Sequence, residues 1–144
     1  MDTRVTSDSC MSTTLDDTIL HGLGLEELFT YFQPIINLKS GKVVGHEALL
    51  RGRNESDEIV SPGALFAAAA AVDQRMVLER TARSNAIQRF SAERTPGGPI
   101  LFLNFSSWLL DERLLEPGLI EETCRNAGLN PQQVAIEIVE ATVR

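Results

Sequence analysis

Three polar residues interrupt three apolar runs of this 144-residue chain, and their types suit one chemistry. Glu47 stands in Val43-Val44-Gly45-His46-Glu47-Ala48-Leu49-Leu50, Asn104 in Ile100-Leu101-Phe102-Leu103-Asn104-Phe105, and Glu137 in Val134-Ala135-Ile136-Glu137-Ile138-Val139. Each run reads as a strand, with its polar residue toward the C-terminal end. A carboxylate in an otherwise buried strand is costly unless it is paired or bound to a metal. Two carboxylates and an amide oxygen that converge make a hard, all-oxygen site, suited to Mg²⁺ or Mn²⁺ rather than zinc. Taken singly, each residue has a plainer reading. Asn104 can cap the loop that follows it, Glu137 can pair with an arginine, and isolated polar residues near strand ends mostly satisfy backbone or surface partners. All three at strand ends, in runs that are otherwise apolar, favour a shared site. Arg51, four residues after Glu47, adds a cation beside it.

The elements that must position these residues follow from periodicity and turn chemistry. Leu20 to Phe29 predicts a short helix, weakened at its start by Gly22 and Gly24. Strands are expected at about 30–38 and 42–50, joined by Ser40-Gly41-Lys42. Arg51 to Glu58 reads as a charged loop. Ser61 then caps a helix with Pro62 at its first position, and Leu65, Phe66, Ala69 and Val72 mark its buried face. Asp73 is expected to break that helix and cap a second one running to about Phe90. Thr95-Pro96-Gly97-Gly98-Pro99 is a breaker. Ile100 to Phe105 reads as a parallel strand buried on both faces. Pro117 to Ala127 is a helix closed by Gly128, Asn130-Pro131 a turn, and Val134 to Val139 the last strand. The order ββ, helix pair, β, α, β defines an α/β chain with a mostly parallel sheet.

Composition narrows the function classes. The apolar fraction of 43% and the length suffice for one domain with a core. No apolar run is long enough to cross a bilayer. A net charge of −7 argues against general binding of DNA, RNA or anionic membranes, but not against a small anion held through metal ions. Residues 1–18 read as a disordered leader or linker, without the charged start and apolar core of a secretory signal. Cys10 and Cys124 lie far apart without metal-ligand spacing, which predicts free thiols and a cytoplasmic setting.

Gln33-Pro34-Ile35, fourteen residues ahead of Glu47-Ala48-Leu49-Leu50-Arg51, resembles the opening of the EAL family, bacterial phosphodiesterases for cyclic di-GMP. Asn104-Phe105-Ser106 is similar to that family's Asn-Leu-Ser motif, and Glu137-Ile138-Val139-Glu140 to its Glu-Ile-Thr-Glu motif. The resemblance implies a TIM-type (β/α)8 barrel, which runs to about 250 residues with its site at the strand C-termini. Residues 19–144 would be about the first half of it. The resemblance also implies Glu47, Asn104 and Glu137 as metal ligands, with Glu47 and Glu137 in catalytic roles. Gln33 and Arg51 would contact cyclic di-GMP, Arg51 through a phosphate. Leu49 would line the groove, and Glu140 would steady a loop beside the metals and the dimer. The implied reaction is hydrolysis of one phosphodiester bond to the linear dinucleotide, assisted by two Mg²⁺ or Mn²⁺ ions.

Two departures from the family pattern stand out. Val139 replaces the usual threonine. The family's later paired aspartates, lysine, glutamate and glutamine have no counterpart, since the chain's one Asp-Asp is Asp16-Asp17 in the leader. Half a barrel would expose the edge of its last strand. The expected remedies are further domains of a longer protein or a homodimer. The alternative function is an inactive EAL-like module that binds cyclic di-GMP or a protein partner.

Overall fold

Strand-forming residues on either side of a Ser40-Gly41 turn build the first hairpin. The computed structural model describes residues 20–93, 97–107, 109 and 117–139. The expected leader, Cys10 and Glu140 lie outside them. Strands β1 (Leu25–Ile36) and β2 (Val43–Asn54) pair antiparallel along nearly their whole length. Asn37 Oδ1 accepts from the Lys39 and Ser40 backbone N–H groups, at 3.0 Å each, and Gly41 supplies the left-handed residue of the turn at φ +68°.

Both strands are longer than the sequence pattern suggests. Leu25 to Phe29, expected to be helical, begins β1. The helical turn ends at Gly22, Gly24 lies at φ +64°, and Leu25 to Phe29 pairs with Asn54 to Arg51. A ladder on β2 and the burial of Leu25 beside Leu65 and Leu78 outweigh a short helix already weakened by two glycines. Arg51 to Asn54, expected to be loop, continues β2 for the same reason. β1 pairs with it on one side and β3 (Ile59–Val60) on the other. The loop shrinks to a turn in which Asn54 Oδ1 accepts from the Ser56 and Glu58 backbone N–H groups at 3.0 and 2.9 Å.

Ser61 caps α1 (Pro62–Ala71), its hydroxyl accepting from the Ala64 N–H at 3.4 Å. Asp73 closes this helix but does not cap the next. It sits at φ +54°, and the Asp73 and Gln74 N–H groups return to the carbonyls of Ala70 and Ala69. Helix α2 (Arg75–Glu93) then starts from the Gln74 carbonyl, which accepts from Leu78. Helix α3 (Pro117–Asn126) ends in a similar way, with Gly128 at φ +71° and the Leu129 N–H on the Cys124 carbonyl at 2.8 Å.

With β4 (Ile100–Ser106) and β5 (Val134–Val139), the sheet order is β1-β2-β4-β5. Pairs β2–β4 and β4–β5 are parallel. The core lies between one sheet face and the helices. Leu101, Leu103 and Phe105 pack with Ala86, Ile87 and Phe90 of α2 and Cys124 of α3, while Leu65 and Ala69 of α1 join Leu25 and Leu78. β4 is therefore buried on one face only. Phe102 and Asn104 are half-buried on the other, and Ser106, at the strand's end, reaches Glu79 of α2 through its hydroxyl. β5 has no described neighbour on its outer edge, and its Ile136 and Ile138 remain 44% and 47% exposed. No described helix is long and apolar enough to cross a membrane.

Candidate functional site

Strand register gathers the candidate residues. Gln33 lies opposite Glu47 across β1 and β2, Glu47 opposite Phe102 across β2 and β4, and Asn104 opposite Glu137 across β4 and β5. Register partners share a face, as do residues two apart on one strand. Gln33, Glu47, Leu49, Arg51, Asn104 and Glu137 therefore share the sheet face opposite the helices.

Glu47 and Asn104 meet directly. Asn104 Nδ2 donates to Glu47 Oε1 at 2.7 Å and, at 3.4 Å, to the Ala48 carbonyl. A carboxylate can only accept here, so the amide presents its nitrogen to Glu47 and keeps its oxygen available. Asn104 thus bonds across to β2, fifty-seven residues away in sequence, and does not cap the following loop. Glu137 is exposed and makes no ion pair among the described residues. It stands beside Asn104 in register without joining the bonded pair.

Arg51 and Arg53 share this face by alternation, and their surroundings differ. Arg53 contacts Asp57 at 2.8 Å and Glu27 at 3.5 Å, and its guanidinium lies 5.4 Å from the Phe29 ring centroid. The hydrogen bond and charge of Asp57, then Glu27, raise its pKa further above the ordinary arginine value. Arg51 is half-buried, its guanidinium donates to the Leu50 carbonyl at 2.7 Å, and it lies 6.0 Å from the centroid of the Tyr31 ring. Among the described residues no carboxylate neutralises it, so its charge remains available to an anion. Gln33 is exposed, and Leu49 and Asn104 border a cavity of about 110 Å³ whose other walls include Phe66 of α1 and Glu79 and Arg83 of α2.

The donors fit a hard divalent cation. Glu47, Asn104 and Glu137 offer oxygen alone, and no cluster of three His, Cys, Asp or Glu side chains occurs among the described residues. Such a set suits an ion that keeps several waters, as Mg²⁺ does, better than a closed protein cage.

Two features were missed by sequence reasoning. Phe102 packs over Gly45 on this face so closely that a β-carbon there would sit 2.4 Å from the ring. A glycine inside a strand is a signal for such close approach. Glu79 of α2 is buried at the end of β4, and an acid within an amphipathic helix carries no comparable signal.

Oxygen donors on one face of three parallel strands define the class, with Asn104 and Glu137 past the middle of β4 and β5; Glu47, expected near its strand's end, lies in the first half of β2 because that strand runs on to Asn54. The chain matches the EAL domain over residues 16–144 and belongs to that family. An uncharacterized protein of Mycobacterium tuberculosis is 27% identical over 148 residues, a match covering 96% of this chain and 23% of that protein. The solved EAL enzyme Bd1971, with cAMP and cyclic di-GMP bound, superposes with a TM-score of 0.68 at 20% identity, over 86% of this chain and 35% of that one. BlrP1 of Klebsiella pneumoniae, in a complex with calcium and cyclic di-GMP, gives a TM-score of 0.62 at 28% identity, over 77% of this chain and 27% of that one. This chain therefore spans about a quarter of the mycobacterial relative and of BlrP1, and about a third of Bd1971. The fold is TIM-barrel type, and the four-stranded path with its helices is about half of such a barrel.

Proposed function

We propose that this chain carries the first half of a metal-dependent cyclic di-GMP phosphodiesterase site. The observation that supports this most is the 2.7 Å contact between Asn104 and Glu47, with Glu137 beside Asn104 in register on the same open face. BlrP1, to which this chain is similar in fold, has been solved with cyclic di-GMP and calcium or manganese. Glu47, Asn104 and Glu137 would hold Mg²⁺ or Mn²⁺, and Glu140 would support that metal site. An ion held by these residues would supply Lewis-acid activation of water and offset charge on the phosphate. Glu47 holds the Asn104 amide by its nitrogen, so the amide oxygen is oriented before any ion arrives. Gln33 and Leu49 would contact the dinucleotide, and Arg51 would take a phosphate oxygen.

The motifs that supply the rest of the family's site have no counterpart in these residues. Further domains of a longer polypeptide, or a second copy, would complete it. The second reading is a chain that binds cyclic di-GMP or a protein partner as a regulatory module without turning the dinucleotide over. The cytoplasm is the setting we assign. Cys124 is a free, buried thiol there, and burial, with a smaller contribution from Glu121, pushes its pKa up and keeps it unreactive.

Arg51→Ala tests the reading. Loss of a charge-assisted contact should weaken cyclic di-GMP binding by about 1.5–3 kcal/mol. Calorimetric titration in the presence of Mn²⁺ measures this, and an unaltered affinity would remove Arg51 from the site.

A further inference from the structure

The ladder between β2 and β4 stops one residue short of Asn104. Its last register pair is Ala48 with Leu103, whereas β5 pairs with β4 through Ser106. Asn104, Phe105 and Ser106 thus have a strand neighbour on one side only. A segment held this way can shift, yet Asn104 must keep its amide within hydrogen-bond reach of Glu47.

A buried charged group lies at this point. Glu79 is only 2% exposed. A carboxylate so far from water is tolerated when both oxygens have donors. Glu79 Oε1 accepts from the Ser106 hydroxyl at 2.5 Å, and Oε2 accepts from Arg83 Nη1 at 2.9 Å. Arg83, one turn along α2, also lays its guanidinium over the Phe105 ring at 4.5 Å from the centroid. Helix α2 therefore grips the two residues that follow Asn104, one by its ring and one by its hydroxyl. Glu79, Arg83 and Asn104 line the same cavity. Apolar residues could fill such a place at little or no cost in stability. A paired acid and a hydroxyl add direction, which packing alone does not.

We infer that Glu79, Arg83 and Ser106 form a positioning clamp that sets the end of β4 and so aims the Asn104 amide at Glu47. The clamp acts through Asn104. Its consequence for metal affinity rests on the function proposed above, while its effect on Asn104 does not.

The test follows the Asn104 side-chain amide by NMR in the metal-free 144-residue chain, alongside Mn²⁺ titration. Ser106→Ala and Glu79→Gln should move the amide shifts toward those of free asparagine and speed its hydrogen exchange. Ser106→Thr, which keeps the hydroxyl, should restore both. Mn²⁺ affinity should fall about 10–100-fold in Ser106→Ala, as for loss of a group that orients a ligand, and recover in Ser106→Thr. An Asn104 amide unchanged in Ser106→Ala would overturn the clamp, even with Mn²⁺ bound normally. If Ser106→Ala does not fold, Glu79→Gln provides the same comparison. A wild-type chain that binds no Mn²⁺, while its Asn104 amide responds to Ser106→Ala, would support the clamp and count against the proposed function.

Discussion

Glu47→Ala is expected to abolish Mg²⁺ or Mn²⁺ binding. The substitution removes one of two candidate carboxylates, and with it the acceptor that holds Asn104 Nδ2 at 2.7 Å. What remains is the Ala48 carbonyl at 3.4 Å, a poorer partner, so the amide oxygen loses its direction as well as its neighbour. A single outer partner of a metal ligand is worth about 10–100-fold in affinity. Losing a charged ligand together with the orientation of a second should exceed that range. Glu47→Gln separates the two effects. It can still accept from Asn104 but carries no charge, so it should orient the amide and yet bind the ion far more weakly. Calorimetric titration of Mg²⁺ or Mn²⁺ checks both variants. An unchanged isotherm for Glu47→Ala would remove Glu47 from the metal site.

Phe105→Ala is expected to cost about 3–5 kcal/mol of folding stability. The ring is 1% exposed and sits in the cluster that joins β4 to α2 and α3. Its removal leaves a cavity, and it also takes away the surface on which the Arg83 guanidinium lies. Against a total stability of about 5–15 kcal/mol for a domain, this is a large fraction. Urea unfolding followed by circular dichroism measures the loss. A change below about 1 kcal/mol would mean that Phe105 is not part of a closely packed core.

The candidate residues stand out in the sequence because of the strand period. An acid or amide inside a run of Val, Ile, Leu and Phe stands out, and that contrast identified Glu47, Asn104 and Glu137 before any register was known. The register adds that they share one face, and that two of the three touch. The rest was less legible for identifiable reasons. Leu25 to Phe29 has no strand pattern strong enough to reveal the partner on β2 that makes it one. Arg51 to Asn54 reads as loop because it is charged and polar, and local composition does not report a ladder. Asp73 was recognised as a break, but a left-handed φ at an aspartate is not distinguishable in sequence from a cap. β4 read as buried on both faces because Ile100 and Phe102 on its site side are themselves apolar. Glu79 gave no signal, since its role depends on Ser106, twenty-seven residues away.

The most direct test is calorimetric titration of cyclic di-GMP into the purified 144-residue chain, with and without Mn²⁺, assaying the same sample for the linear dinucleotide. The sheet face described above predicts binding that depends on Mn²⁺, with no linear product from this chain alone. Binding that is absent in both conditions, or indifferent to Mn²⁺, would contradict the assignment of this face as half of a metal-dependent dinucleotide site.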